Sequence, residues 1–242
     1  MRIAHLLAAS VIAIALGACH WDRGEARDPG PTVDRPIQVG QFTGIEVAGP
    51  YDVTVKAEGQ PGIIAHGGEH LIDATEFKVD GSTLQIGPKD ENRHFHWGHD
   101  GRVVVTISGV PSLAAASMAG SGGIRVERSN APSFKGEIAG SGNISVDQLQ
   151  TGDASFAIGG SGQLQAKGTA QRVKAEIAGS GNIDAGGLNA TDAEVSIAGS
   201  GNAAVHASGA AKVSIMGSGD ASVTGGAKCN VSKMGSGNVT CS

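Results

Sequence analysis

Over residues 112–242, apolar and polar side chains alternate nearly one for one, and the alternation is interrupted at regular intervals by the same three small residues. The interruptions are Gly120-Ser121-Gly122, Gly140-Ser141-Gly142, Gly160-Ser161-Gly162, Gly179-Ser180-Gly181, Gly199-Ser200-Gly201, Gly217-Ser218-Gly219 and Gly235-Ser236-Gly237. Successive copies are 20, 20, 19, 20, 18 and 18 residues apart. Aligned on the triplet, the position two before it reads Met118, Ile138, Ile158, Ile177, Ile197, Ile215 and Lys233, and the position two after it reads Ile124, Ile144, Leu164, Ile183, Ala203, Ala221 and Val239. The position four before it reads Ala116, Gly136, Phe156, Ala175, Val195, Val213 and Val231, and at the odd offsets beside this column lie Lys135 and Glu137, Lys174 and Glu176, Glu194 and Ser196, and Lys212 and Ser214. A period of two on both sides of a fixed break predicts two short strands per repeat, each with one face buried.

Two such strands cannot enclose a core alone, but stacking repeats about 4.8 Å apart pairs each strand with its neighbour and turns each aligned position into a column. The pattern therefore predicts an all-β parallel β-helix, a β-solenoid with 18–20-residue rungs and Gly-Ser-Gly corners. The triplets read as structural: glycine reaches positive φ without steric cost, and small residues let corners stack closely. Asn143, Gln163, Asn182, Asn202, Asp220 and Asn238 follow the corners, where stacked polar side chains can bond along the axis and Asn tolerates a left-handed backbone. The final repeat differs, with Lys233 breaking the Ile column and Cys229 and Cys241 in inward columns on either side of the corner. These features predict an end cap closed by a Cys229–Cys241 disulfide, contributing on the order of 2–3 kcal/mol in an oxidising compartment.

Residues 37–111 lack the triplet, yet "FTGIEVAGPYDVTVKAEG", "TEFKVDGSTLQIGP" and "GRVVVTISGVP" alternate as strands between Gly and Pro turns. They are expected to lead into the solenoid and cover its first rung, within one domain spanning 37–242. "GEHLIDAT" fits a short helix or a bend. The segment "DRGEARDPGPTVDRP", with no hydrophobic period, reads as a tether over 19–36.

Arg2 followed by the apolar run Leu6 to Leu16 fits a secretory signal over 1–18. Leu16-Gly17-Ala18-Cys19 resembles a bacterial lipobox, which implies cleavage before Cys19 and a lipid on its thiol, with the mature chain held at the outer membrane. An ordinary signal peptide with an incidental cysteine is the plainer alternative. The full chain carries a net charge of −5 with 3% aromatic residues, so a nucleic-acid partner is not expected.

In the order "FTGIEVAGPYDVTV", "GEHLIDATEFKVDGSTLQI", "VVVTISGVPSL", "MAGSGGIRV" and repeated "AGSGNI", the chain resembles the head GIN domain family of putative auto-transporter adhesins. That resemblance implies a bacterial envelope β-helix and brings no catalytic residues with it. The loop "DENRHFHWGHDG" departs from the family and places His94, His96 and His99 within six residues. Three imidazoles suit Zn²⁺ or Cu²⁺, although a polar hairpin tip is the simpler reading, and no cofactor is otherwise expected.

The functional expectation is a lipid-anchored, non-catalytic adhesion, interaction or structural module with an envelope glycan or protein as ligand and the membrane held through its lipid. The sequence does not set an oligomeric state. The alternatives are a polysaccharide-acting β-helix enzyme and a metal-binding envelope protein. For the enzyme, Glu137 and Glu176 share an outward column but stand two rungs apart, with lysines beside them.

Overall fold

The computed structural model describes residues 28–89 and 102–242. In chain order these form β1 (Thr32–Ile37), β2 (Gly44–Ala48), β3 (Asp52–Val55), β4 (Gly62–Gly68), α1 (Glu69–Asp73), β5 (Thr75–Asp80), β6 (Thr83–Pro88) and β7 (Val104–Ser108). The repeats follow as β8 (Ala115–Gly120), β9 (Gly123–Ser129), β10 (Ser133–Gly140), β11 (Asn143–Gln150), β12 (Asp153–Gly160), β13 (Gln163–Thr169) and β14 (Arg172–Gly179). The last are β15 (Asn182–Gly199), β16 (Asn202–Gly217), β17 (Ala221–Thr224), β18 (Lys228–Met234) and β19 (Val239–Cys241). The fold is all-β and stacked as a solenoid with rungs of about 20 residues.

Each layer has a strand before the corner and a strand after it, making a leading and a trailing face. In the leading face β8, β10, β12, β14, the second half of β15, the second half of β16 and β18 pair in parallel, with Met118, Ile138, Ile158, Ile177, Ile197, Ile215 and Lys233 in register. In the trailing face β9, β11, β13, β15, β16, β17 and β19 do the same. The aliphatic columns are the core: Ile138, Ile158, Ile177, Ile197 and Ile215 are each at most 2% exposed. Burying an Ile or Val fully is favourable by roughly 1.5–3 kcal/mol, so these columns supply the main driving force. Where Gly136 stands in an inward column, the rings of Phe134 and Phe156, 6.4 Å apart, occupy the space beside it.

The corners explain the triplet. The first glycine of each has φ between +125° and +137°, a region closed to residues with a Cβ. A Cβ on Gly160 would lie 2.4 Å from the Gly140 carbonyl oxygen, and one on Gly162 would lie 2.5 Å from that of Gly142. The serine between them is exposed, and in the five triplets from Ser141 to Ser218 its N–H donates at 2.9 Å to the first glycine's carbonyl in the layer before, whereas in the first and last triplets the N–H of Gly122 and of Gly237 donates to Gly49 and to Gly217. The residue after the triplet does not need a left-handed backbone, because no non-glycine among the described residues has positive φ. Its Asn serves through the side chain instead.

Three features of the N-terminal half differ from the sequence expectation. The tether expected to run to residue 36 ends earlier, since Val33 and Ile37 pack against the core and β1 pairs antiparallel with β4. The lead-in does more than cover the first rung: β2 and β3 form a layer of their own, pairing in parallel with β8 and β9 on one side and with β6 and β7 on the other. Gly49, with φ +122°, keeps the corner of that layer although Pro50 and Tyr51 replace the other two residues. Finally, β6 and β7 are not a hairpin. They lie on the two faces of one layer, β6 beside β2 and β7 beside β3.

Beyond β6 and β7 the stacking turns antiparallel through β5, β4 and β1, while Leu71 and Ile72 of α1 are buried at that end. At the other end Cys229 and Cys241 are disulfide-bonded across the last corner, and Lys233, in the Ile column, donates from Nζ to the Gly237 carbonyl at 2.8 Å. Both ends thus stop the stack by breaking its regularity.

A paired substitution tests the corner argument. Gly160→Ala should lower unfolding free energy by roughly 2–4 kcal/mol through strain and backbone clash. Gly159→Ala, whose Cβ would meet nothing closer than 3.9 Å, should leave urea and thermal midpoints nearly unchanged.

Candidate functional site

The outward columns carry the chemistry, and the two faces differ. Outside the leading face, the column next to the corner is Ala119, Ala139, Gly159, Ala178 and Ala198, followed by Met216 and Met234, which are 63% and 70% exposed. Further from the corner lie ion pairs: Lys135–Glu137 at 2.8 Å, Lys174–Glu176 at 2.9 Å and Lys212–Glu194 at 3.1 Å. The Glu176 hydrogen bond pushes the Lys174 ammonium above its usual range. Ala157 separates Glu137 from Glu176 in the column, and each glutamate is paired with a lysine on its own strand. This arrangement suits a solvated surface better than a pair of carboxylates facing one substrate bond.

The trailing face is largely polar outside, with Gly123 and Ala204 as exceptions. Its first column after the corner is Asp52, Gly123, Asn143, Gln163, Asn182 and Asn202, continued by Asp220 and Asn238. Its second column is Thr54, Arg125, Ser145, Gln165, Asp184, Ala204 and Ser222. Towards the C-terminal end the first column is bonded from layer to layer. Asn182 Oδ1 accepts from the backbone N–H and from Nδ2 of Asn202, both at 3.2 Å, Asn202 Oδ1 accepts from the N–H of Asp220 at 3.1 Å, and Asp220 Oδ1 accepts from the N–H of Asn238 at 2.7 Å. Each side-chain oxygen satisfies an N–H at the next corner. Near the N-terminal end the groups are not tied this way, and a shallow depression of about 190 Å³ opens among Asp52, Thr54, Gly123, Arg125, Asn143 and Ser145.

A second concavity lies beside the N-terminal end of the stack. The β1–β2 connection arches past the turns between β3 and β4 and between β7 and β8, leaving a cleft of about 490 Å³. Ile37, Val39, Phe42, Pro61, Val110 and Pro111 supply its apolar lining. On the same end, Arg35 pairs with Glu69 and Asp73, and Asp34 lies 2.7 Å from His66 Nδ1. The hydrogen bond from Arg35 holds the Asp73 carboxyl below the usual carboxylate range, so the pair persists until the pH falls below that range.

Of the residues singled out from sequence, the seven triplets stand together as one stacked edge and Cys229 and Cys241 are joined. Cys19 and the three histidines, His94, His96 and His99, lie outside the described residues. Among the described residues no helix is long and apolar enough to cross a membrane, and no three His, Cys, Asp or Glu side chains cluster as metal ligands would. His206 is half-buried, with Nδ1 3.1 Å from Thr224 Oγ1. Sequence reasoning missed both concavities. The depression had a signal, since the first triplet is followed by Gly123 where the others have Asn, Gln or Asp. The cleft had none, because three distant segments build it.

Residues 41–227 match the family model described as putative auto-transporter adhesin, head GIN domain. Among solved structures, a putative adhesin from Bacteroides fragilis superposes with a TM-score of 0.74 at 22% identity, over 87% of this chain and 97% of its own. A protein from Parabacteroides distasonis described as a putative lipid binding protein gives 0.69 at 25% identity, over 88% and 97%. A putative adhesin from the same species gives 0.68 at 22%, over 88% and 98%. No curated protein matches the chain.

Replacing Asn202 by Ala removes an acceptor and a donor from the middle of the ladder. The expected cost is about 1 kcal/mol, and amide exchange at Asp220 should quicken while exchange at Asn143 stays the same.

Proposed function

Because the chain belongs to the putative auto-transporter adhesin, head GIN domain family, we propose that it is a non-catalytic adhesion module of the cell envelope that binds through its trailing face. The observation that carries this reading is the outer surface of amides, hydroxyls and carboxylates that runs from Asp52 to Asn238, interrupted in its first column at Gly123 and held in register by parallel strand pairing. Such a surface offers many hydrogen-bond donors and acceptors at a fixed spacing, which suits an extended envelope glycan or protein. A polysaccharide-acting enzyme is the rival. The lysine pairing of Glu137 and Glu176 weighs against it, and retention of envelope glycan with no released product would separate the two.

In this reading the module is attached by a lipid on Cys19, at the outer membrane. Residues 19–31 then link that lipid to β1, which lies at the antiparallel, N-terminal end of the solenoid. The apolar cleft at that end favours a second ligand class, a single acyl chain, in line with the description of the Parabacteroides distasonis relative as lipid-binding. A cleft of 490 Å³ is within the usual size for a small-molecule site.

Two experiments test these assignments. Cys19→Ser should abolish incorporation of labelled palmitate and move the protein from the membrane to the soluble fraction; continued membrane association would refute the anchor. Gly40 lines the cleft, and a Cβ added there would meet no atom within 4 Å, so Gly40→Phe should fill the space without unfolding the chain. Displacement of a fluorescent fatty acid should then weaken at least tenfold at an unchanged melting temperature, and equal affinity in both proteins would remove the acyl-chain reading.

A further inference from the structure

The first column of the trailing face lacks one side chain. Asp52 and Asn143 both pair with Gly123, one from each side, so the two polar groups stand two layers and about 10 Å apart with bare backbone between them. The second column runs past this gap as Thr54, Arg125 and Ser145. The result is a notch one side chain wide, with a backbone floor and polar walls.

Its walls are balanced in charge. Arg102 donates to Asp52 Oδ2 at 3.1 Å, and Arg125 donates to Asp147 at 2.9 Å from Nε. A lone anion or cation therefore meets a paired group on either side. What remains uncommitted is hydrogen-bonding capacity. Among the described residues Asp52 Oδ1, the Asn143 amide and the Thr54 and Ser145 hydroxyls make no side-chain hydrogen bond, in contrast to the bonded ladder of Asn182, Asn202 and Asp220. Four groups that mix donors and acceptors around a neutral floor match a ring bearing adjacent hydroxyls, each of which both donates and accepts.

From this geometry we infer that the Gly123 notch is a saccharide subsite, which takes one sugar ring of a glycan lying along the trailing face. Asp52 and Thr54 hold the ring from one side, Asn143 and Ser145 from the other, and Arg125 presents its remaining N–H groups at the edge. The inference rests on the trailing face being the binding surface and adds the ligand class and the position.

Gly123 itself makes the test selective. Its φ lies outside the left-handed region, and an added Cβ would meet only Asp52 Oδ1, at 3.3 Å, the end of a side chain that can turn. Gly123→Asn therefore completes the ladder and fills the notch while the fold stays intact, which a thermal melt verifies. Backbone amide shifts of the soluble mature chain are followed during titration with N,N′-diacetylchitobiose and, separately, with maltose. The expected result is saturable shifts at Asp52, Gly123, Arg125 and Asn143 for at least one probe, weakened at least tenfold in Gly123→Asn and in Asn143→Ala. Shifts confined to another part of the trailing face, or unaltered affinity in Gly123→Asn, overturn the notch and leave the binding face standing. Absence of shifts with either sugar overturns the saccharide assignment, and the same chain's retention or loss on immobilised envelope extract then decides separately whether the face binds at all.

Discussion

Everything in this fold depends on how closely two backbones approach at a corner. Parallel strands stack at about 4.8 Å, and at each corner the chain must turn while holding that separation from the corner beneath. A Cβ on the first glycine of the triplets from Gly140 onward would come within 2.1–2.7 Å of the preceding corner's carbonyl oxygen, which leaves glycine as the residue that fits. The corner consequently fixes register: once one glycine sits on the next, each Ile must lie on Ile and each outward residue on its counterpart. Aliphatic burial supplies the free energy, but burial alone tolerates a slip of two residues along a strand, which keeps the same face inward. The glycine contact penalises that slip.

Stacked layers raise a second problem, since a regular stack has no reason to stop. The N-terminal end solves it by reversing strand direction and burying Leu71 and Ile72. The C-terminal end keeps the parallel direction and instead places a charge where the next layer would need an aliphatic side chain. Lys233 occupies the Ile column, and with no layer beyond it Val231 is 44% exposed. An incoming strand would have to desolvate that ammonium. The disulfide holds the two strands of this half-exposed layer together, a task that core packing performs elsewhere.

The repeat half was legible because each constraint acts on one column: burial selects Ile at one offset, and corner contact selects Gly at another. In the N-terminal half the same constraints operate on fewer residues. The layer of β2 and β3 keeps Gly49 at the conformationally demanding position but has Pro50 and buried Tyr51 in place of the small residues, so its period is lost to a sequence reading. Its place between the layers of β6–β7 and β8–β9 follows from strand pairing across more than thirty residues, for which no local pattern gives a cue. The cleft shares that origin. The Asn column was legible as a ladder, yet its backbone conformation was not, because the left-handed residue proved to be the glycine three positions earlier.

Regularity and function pull in different directions in such a molecule. A solenoid of identical layers presents identical columns, and identical columns give a ligand no reason to settle at one layer. Specific binding therefore needs a departure from the repeat that the core does not feel. Outward positions allow this, since a side chain removed there costs no aliphatic burial; at Gly123 the inward neighbours Ile124 and Val126 remain buried in their columns. The same reasoning separates the bonded half of the polar ladder, where Asn182, Asn202 and Asp220 spend their oxygens on backbone N–H groups, from the half around Gly123, where equivalent groups face solvent. Side chains committed to the next corner are part of the scaffold, and those left uncommitted beside a gap are free to bind something else.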